Sequence, residues 1–240
     1  MSLKTLSQSR INADDVGKLN TDGLILYLDA GNVTSYSGSG TTWSDLSGNS
    51  NTGTLINGPT YSSANKGIIV FDGTNDYVHI SSSNSLSSSA QGTVNIWFKY
   101  NSISANGNSI ISKIDASNQS NNGYNIYLYN NVTLGHTVVG EIKVSNAAYN
   151  TIITVNTGSW YNVTITYSSN GFISTYLNGI KRGTSYLPSF TITSQPLKIG
   201  AANDSYWGYL SGSVSNVQIY NKILTDAEVL KNYNTFAPRF

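Results

Sequence analysis

No cysteine occurs in the 240 residues, so a disulfide framework and a thiolate metal site are both excluded, and stability must come from a packed core. Charge is equally scarce. Only 10% of the residues are Asp, Glu, Lys or Arg, against about a quarter in ordinary globular chains. The 13 basic and 12 acidic residues leave a net charge of +1, and the basic ones are scattered. No field steers such a chain toward nucleic acid or an acidic membrane. No apolar run approaches the ~18–20 residues needed to cross a bilayer, so membrane insertion is not expected. The stretch from Met1 to Leu19 is polar and lacks the apolar segment of a secretory signal. Chemistry-bearing residues are few as well: two histidines, His79 and His136, and two glutamates, Glu141 and Glu228.

In place of charge the chain carries Ser, Thr, Asn, 22 Gly and 17 Tyr, with 39% hydrophobic residues. Abundant aromatic and β-branched residues argue against disorder. The length suits one large all-β domain. Residues 1–21 differ from the rest and read as an N-terminal arm for anchoring or oligomerisation, with residues 22–240 as the domain. From Asp22 on, short β-type runs alternate with turn residues. Gly23 to Asp29 is nearly continuous in apolar residues, as a strand covered on both faces would be. Gly67 to Phe71 and Tyr77 to Ile80 flank Asp72-Gly73-Thr74-Asn75 and read as a hairpin. Tyr124 to Tyr129 and Val132 to Val139 read as the next pair. Tyr161 to Tyr167 alternates strictly. With Asn170-Gly171 and Asn178-Gly179 it predicts a three-stranded meander continuing through Ile180 to Leu187. Near the end Thr225 and Glu228 have capping-box spacing, and Val229, Leu230 and Tyr233 form a helical stripe. More than ten short strands and one short helix predict an antiparallel β-sandwich.

Several segments together carry a resemblance. They are Gly23 to Asp29, Trp43 to Asn49 with Gly53, Val70 to Tyr77, Tyr176 to Gly179, Leu197 to Gly200 and Val217 to Thr225. In this order they resemble the concanavalin A-like jelly-roll superfamily, in its laminin-G-like and pentraxin-like branch. The resemblance covers Asp22 to Tyr233 and implies a jelly-roll sandwich. The closing residues Asn232 to Phe240 resemble the ends of such domains in tailed-bacteriophage virion proteins. That resemblance implies a surface, fibre or decoration protein on a virion, or an extracellular one. Its partners would be cell-surface or environmental glycans, other virion proteins through the arm, and further copies of itself.

The same superfold hosts glycosidases, which need two carboxyl groups ~5–5.5 Å apart in the retaining mechanism. Neither glutamate has an acidic neighbour at a suitable spacing, and Asp72 and Asp76 lie on a turn. No catalytic residues are assigned, and a polysaccharide-degrading enzyme is the least favoured reading. Pentraxin-like relatives often hold Ca²⁺, which implies a site at Asp45, Asn49 and Asn51. The same residues also suit a loop whose side chains cap their own backbone. For glycan recognition, an aromatic platform with amide and carboxylate groups is sought. One candidate is Tyr124 beside Asp115, Asn118 and Asn121. The other is the segment from Asn203 to Trp207, with Asp204 and Trp207. Tyr and Trp at such places also complete cores or subunit contacts. Trp43, Trp97 and Trp160 are assigned to the sandwich. The reading that results is a non-catalytic, lectin-like jelly roll, with a purely architectural virion protein as the alternative.

Overall fold

The computed structural model describes residues 18–87, 90–114, 122–145, 147–203 and 205–240. Strands β1 (Leu24–Asp29), β2 (Thr42–Trp43), β3 (Gly53–Ile56), β4 (Thr60–Ser62), β5 (Ile68–Asp72) and β6 (Tyr77–Ile80) come first. After one helical turn, α1 (Asn84–Ser87), follow β7 (Gln91–Ser102), β8 (Asn108–Ile114), β9 (Gly123–Asn131), β10 (Gly135–Val144) and β11 (Ala147–Thr154). The chain continues through β12 (Trp160–Ser168), β13 (Gly171–Leu177), β14 (Ile180–Leu187), β15 (Leu197–Ile199) and β16 (Ser211–Tyr220). It then enters helix α2 (Asp226–Phe236).

Among the described residues these strands form two eight-stranded antiparallel sheets. Sheet I runs β14-β13-β12-β7-β16. The far edge of β16 is shared between β5, at Ser211 to Val214, and β1, at Asn216 to Tyr220, with β4 outside β5. Sheet II runs β11-β10-β9-β8-β15-β6-β3-β2. Alternation sends one face of each sheet inward. Val94, Ile96, Phe98, Val163, Ile165, Val217 and Ile219 of sheet I meet Ile111, Ile126, Leu128, Val138, Ile142, Val78 and Leu197 of sheet II in one core. The result is the expected jelly-roll sandwich with a short C-terminal helix.

The Asn178-Gly179 turn has the positive φ values, 52° and 77°, that a tight hairpin between twisted strands needs. It joins β13 to β14 and completes the predicted meander with β12. The hairpin expected between β5 and β6 does not form. β5 belongs to sheet I and β6 to sheet II, and the Asp72 to Asp76 segment is a corner between the sheets. Asp76, 4% exposed, holds this corner by accepting from the Asp72 amide at 3.1 Å. The expected pair at 124–129 and 132–139 is longer than it read. β10 runs on to Val144, and β11 follows it at a sheet edge.

α2 opens with the full capping box: Thr225 Oγ1 accepts from the Glu228 amide, and Glu228 accepts from the Thr225 amide. The helix lies on the outer face of sheet I and buries Val229, Asn232 and Phe236, while Leu230 of the expected stripe faces outward. The sheet beneath it is polar. Asn95 Oδ1 accepts from Asn162 Nδ2 at 2.7 Å and from Thr164 Oγ1 at 2.6 Å, and Asn95 Nδ2 donates to Gln218. Asn232 Nδ2 reaches the Tyr220 hydroxyl at 2.8 Å. That hydroxyl donates to the Asn20 carbonyl at 2.9 Å, so the chain is tied to the sandwich from Asn20 on.

Beyond α2, Arg239 makes a two-pronged ion pair with Asp29 at the end of β1, at 2.6 and 2.8 Å. Asp29 is 1% exposed and also accepts from the Gly31 amide and the Tyr27 hydroxyl. Removing the cation leaves a buried carboxylate unpaired, which costs about 3–5 kcal/mol. Arg239→Ala is therefore expected to lower unfolding stability by that amount in urea titrations. A loss below about 1 kcal/mol, the range of an exposed pair, would contradict this account.

A second buried charge has no carboxylate partner among the described residues. Lys113 of β8 is fully buried; its amine donates to the Gln195 carbonyl and lies 3.5 Å from Ser82 Oγ. Burial lowers its pKa from the ordinary 10.5 to about 8. Between those values the unfolded chain holds one proton more than the folded chain, so this group's contribution to stability rises with pH. Relative to Lys113→Met, the wild type should gain stability as pH climbs from about 8 to 10.5, and the difference should be flat below 8. Denaturant titrations across that range read it.

Candidate functional site

The alternation that fills the core also decides what faces outward from sheet II. A Cβ at Gly140 would strike Ile165 and Thr175 of sheet I, so Val138, Gly140 and Ile142 face inward and Val139, Glu141 and Lys143 outward. Following the register from strand to strand, one outward rung runs Thr54, His79, Lys198, Ser112, Asn125, Glu141 and Asn150. Six neighbouring strands thus place a polar side chain in line from His79 to Asn150. The adjacent rung holds Ser109, Tyr127, Val139 and Ile152.

The middle of this array is buried. Ser112 and Asn125 have no exposed surface and Glu141 has 3%. Ser109 Oγ donates to Asn125 Oδ1 at 2.9 Å, and the Tyr127 hydroxyl donates to Glu141 Oε2 at 3.2 Å. Burial first, and then the Glu141 carboxylate, push the Tyr127 phenol far above its ordinary range, so it remains a donor. Ser112 Oγ and Asn125 Nδ2 have no partner among the described residues. Buried polar atoms are seldom left so, and those that are call for an explanation.

An aromatic corner closes one end of this face. Trp207 lies over Tyr127 with centroids 4.1 Å apart, and Tyr206 stands edge-on to Trp207 at 5.0 Å and 87°. Backbone pairing positions the corner: Ser109 N donates to the Gly208 carbonyl at 3.1 Å, and Gly208 N to the Gly107 carbonyl at 2.9 Å. Gly107 is required there. Its φ is +86°, and a Cβ would come 2.4 Å from the Leu128 carbonyl and 3.0 Å from the Trp207 ring. Tyr206 is 57% exposed. A cleft of about 330 Å³ opens beside it, lined by Ser104, Asn106, Ser205, Tyr206, Trp207 and Tyr209. Ring faces with a rim of hydroxyls and an amide suit an uncharged, polyhydroxylated ring.

Of the residues expected to bind glycan, Trp207 lies in this cleft. Asp115, Asn118, Asn121 and Asp204 lie outside the described residues. Tyr124 is a correction. It is 1% exposed and points into the core, its ring 6.0 Å from Tyr167, because it shares a face with Ile126 and Leu128. One residue of phase separates it from the outward Asn125 and Tyr127, which sequence reasoning missed. The signal was present in the apolar phase of Ile126 and Leu128.

The loop expected to hold Ca²⁺ brings Asp45, Asn49 and Asn51 together but commits them elsewhere. Asp45 Oδ1 accepts from the Tyr27 and Ser47 amides, and Oδ2 from Ser47 Oγ and the Asn51 amide, all at 2.8–2.9 Å. All of its roughly four lone-pair sites are in use. Asn51, 4% exposed, donates to the Ile25 carbonyl and accepts from Ser83 Oγ. Asn49 Nδ2 donates to the Leu24 carbonyl at 3.3 Å. Ca²⁺ requires six to eight oxygen ligands, and this donor set does not fit it. Among the described residues no group of three or more His, Asp or Glu forms a metal cluster. Asp45→Ala should cost about 2–3 kcal/mol, the worth of charge-assisted hydrogen bonds, equally in CaCl₂ and in EDTA. Calorimetric melts in the two buffers check this, and a Ca²⁺-dependent rise in the wild-type melting temperature would refute it.

The structure resembles the binding domain of Paraclostridial Mosquitocidal Protein 1 with a TM-score of 0.71 at 16% identity, covering 90% of this chain and 53% of that one. It resembles domain 4 of AbnA, an extracellular arabinanase of Geobacillus stearothermophilus solved with arabinotriose, with a TM-score of 0.66 at 19% identity. That match covers 88% of this chain and 98% of the arabinanase domain. The botulinum neurotoxin serotype D ligand binding domain, solved with N-acetylneuraminic acid, gives a TM-score of 0.69 at 18% identity, over 89% and 51%. The chain therefore spans about half the length of the toxin domains. At these identities the likeness is one of fold. No curated protein matches the sequence. The Laminin_G_3 family model matches residues 72–230, and the chain belongs to this family of the concanavalin A-like lectin/glucanases superfamily.

Proposed function

We propose that this protein is a non-catalytic, glycan-binding jelly roll that takes a neutral sugar in the cleft at Tyr206 and Trp207. The observation that carries the reading is the aromatic corner itself. An exposed Tyr206 and a Trp207 seated on Tyr127 form a pre-positioned ring surface above a rim of uncharged hydroxyl and amide groups. The likeness to binding domains supports it, above all the arabinanase domain solved with arabinotriose, which this chain spans almost completely. Against catalysis stands the employment of one of the two glutamates. Glu228 caps α2 and pairs with Lys222. The Asp45 carboxylate is occupied by the Tyr27, Ser47 and Asn51 amides and the Ser47 hydroxyl, which supports binding at the cleft without Ca²⁺.

The resemblance of Asn232 to Phe240 to virion proteins supports a setting on the surface of a bacteriophage particle. There residues 1–21 would act as the anchoring arm and copies of the chain would associate. One experiment addresses both parts. On an array carrying arabino-oligosaccharides and sialylated glycans, the full chain should bind with EDTA present, and Trp207→Ala should weaken binding at least about tenfold, roughly 1.4 kcal/mol. A chain lacking residues 1–17 should bind as well per site but lose its oligomeric state in light scattering. Silence of the wild type on the array, or equal binding by Trp207→Ala, would exclude the glycan reading. An unchanged oligomeric state would exclude the arm.

A further inference from the structure

The outer face of sheet I carries a second cleft, on the opposite side of the sandwich. Four rings wall it. Phe240 lies between two indoles, its centroid 4.4 Å from Trp97 and 4.5 Å from Trp160. Tyr233 stacks on Trp97 at 5.4 Å with the planes 11° apart. Beside these rings is a space of about 390 Å³, bounded also by Gly158, Ser159 and Asn178. It is larger than the cleft at Trp207.

Packing explains the rings but not the polar groups among them. Trp97 is 3% exposed, and its indole N–H, closed to solvent, has no acceptor among the described residues. Asn178 spends its Oδ1 on the Asn162 amide at 3.0 Å, which leaves the two hydrogens of Nδ2 as donors at the cleft. Lys99 Nζ lies 5.7 Å from the Trp160 ring centroid, and no carboxylate side chain lines the space. Gly158, at φ +78°, has nothing within 4 Å of where a Cβ would lie, so the approach is open.

A ligand fitting these walls has an apolar face for the rings and acceptor oxygens for the N–H groups, and a sugar ring has both. We propose that the cleft at Trp97, Trp160, Asn178 and Phe240 is a second sugar site. It would take one pyranose ring lying against the ring edges and faces that line the space, with an oxygen accepting from Asn178 Nδ2. The inference stands on its own residues and does not depend on the cleft at Trp207.

The test uses the full chain labelled with 5-fluorotryptophan, whose four tryptophans give four fluorine signals. Glucose, galactose, N-acetylglucosamine and N-acetylneuraminic acid are titrated separately at millimolar concentrations. With at least one of them the Trp97 and Trp160 signals should move to saturation. The movement should persist in Trp207→Ala and be lost in Ser159→Tyr, which fills the space from an exposed position without removing a wall. Static Trp97 and Trp160 signals with all four sugars overturn the proposal. So does movement that survives Ser159→Tyr or vanishes in Trp207→Ala. Movement of the Trp207 signal alone overturns this site while leaving the other reading standing.

Discussion

A carboxylate buried at the end of the first strand has to be met by a cation, and in this molecule the cation comes from 210 residues away. The pairing of Asp29 with Arg239 sets the path of everything after β16. Two parallel hydrogen bonds fix the guanidinium in plane, and the Asn65 side chain holds its carbonyl at 2.8 Å. To reach that point the chain must cross the outer face of sheet I. α2 is the crossing, and its capping box starts it cleanly after β16. Once Arg239 is seated, Phe240 falls between Trp97 and Trp160. The ion pair therefore fixes the aromatic cleft as well as the helix.

The crossing accounts for an odd property of sheet I. Its outer face is buried yet polar, with Asn95, Asn162, Thr164, Asn216 and Gln218 all nearly inaccessible. A helix with an apolar stripe would normally meet an apolar sheet. Here the amides and hydroxyls bond to one another, which makes their burial tolerable, and Val229 and Phe236 supply the apolar contact. Sheet II has no helix of that kind over it among the described residues. Its outward rung of polar side chains and the Tyr206–Trp207 corner form the other functional candidate. The two outer faces are thus built on one plan, polar strands beneath aromatic rings, but are covered differently.

Much of the fold could be read locally. Strict alternation announced β12, and the two Asn-Gly turns announced β13 and β14, since left-handed backbone at Asn170, Asn178 and Gly179 leaves few alternatives. Thr225 and Glu228 announced the start of α2. The site was legible only in part. Trp207 stands out as an aromatic among turn residues, whereas Tyr124 reads as a partner of the polar loop before it although Ile126 and Leu128 put it in the core phase. The rung from His79 to Asn150 had no sequence signature, because its members lie on six strands and are adjacent only through their register.

Composition, period and turn chemistry by themselves determined that this chain is an all-β sandwich with little charge, a neutral hydroxyl-rich surface and one capped helix. Those properties act over a few residues and need no partner from elsewhere in the chain. The tertiary structure alone decided that β5 and β6 part into different sheets, that Asp45 binds its own backbone, and that Asp29 finds Arg239. Each of these depends on where distant strands come to rest. That is set by filling a common core and pairing most of the polar groups buried with it, a condition no local segment expresses.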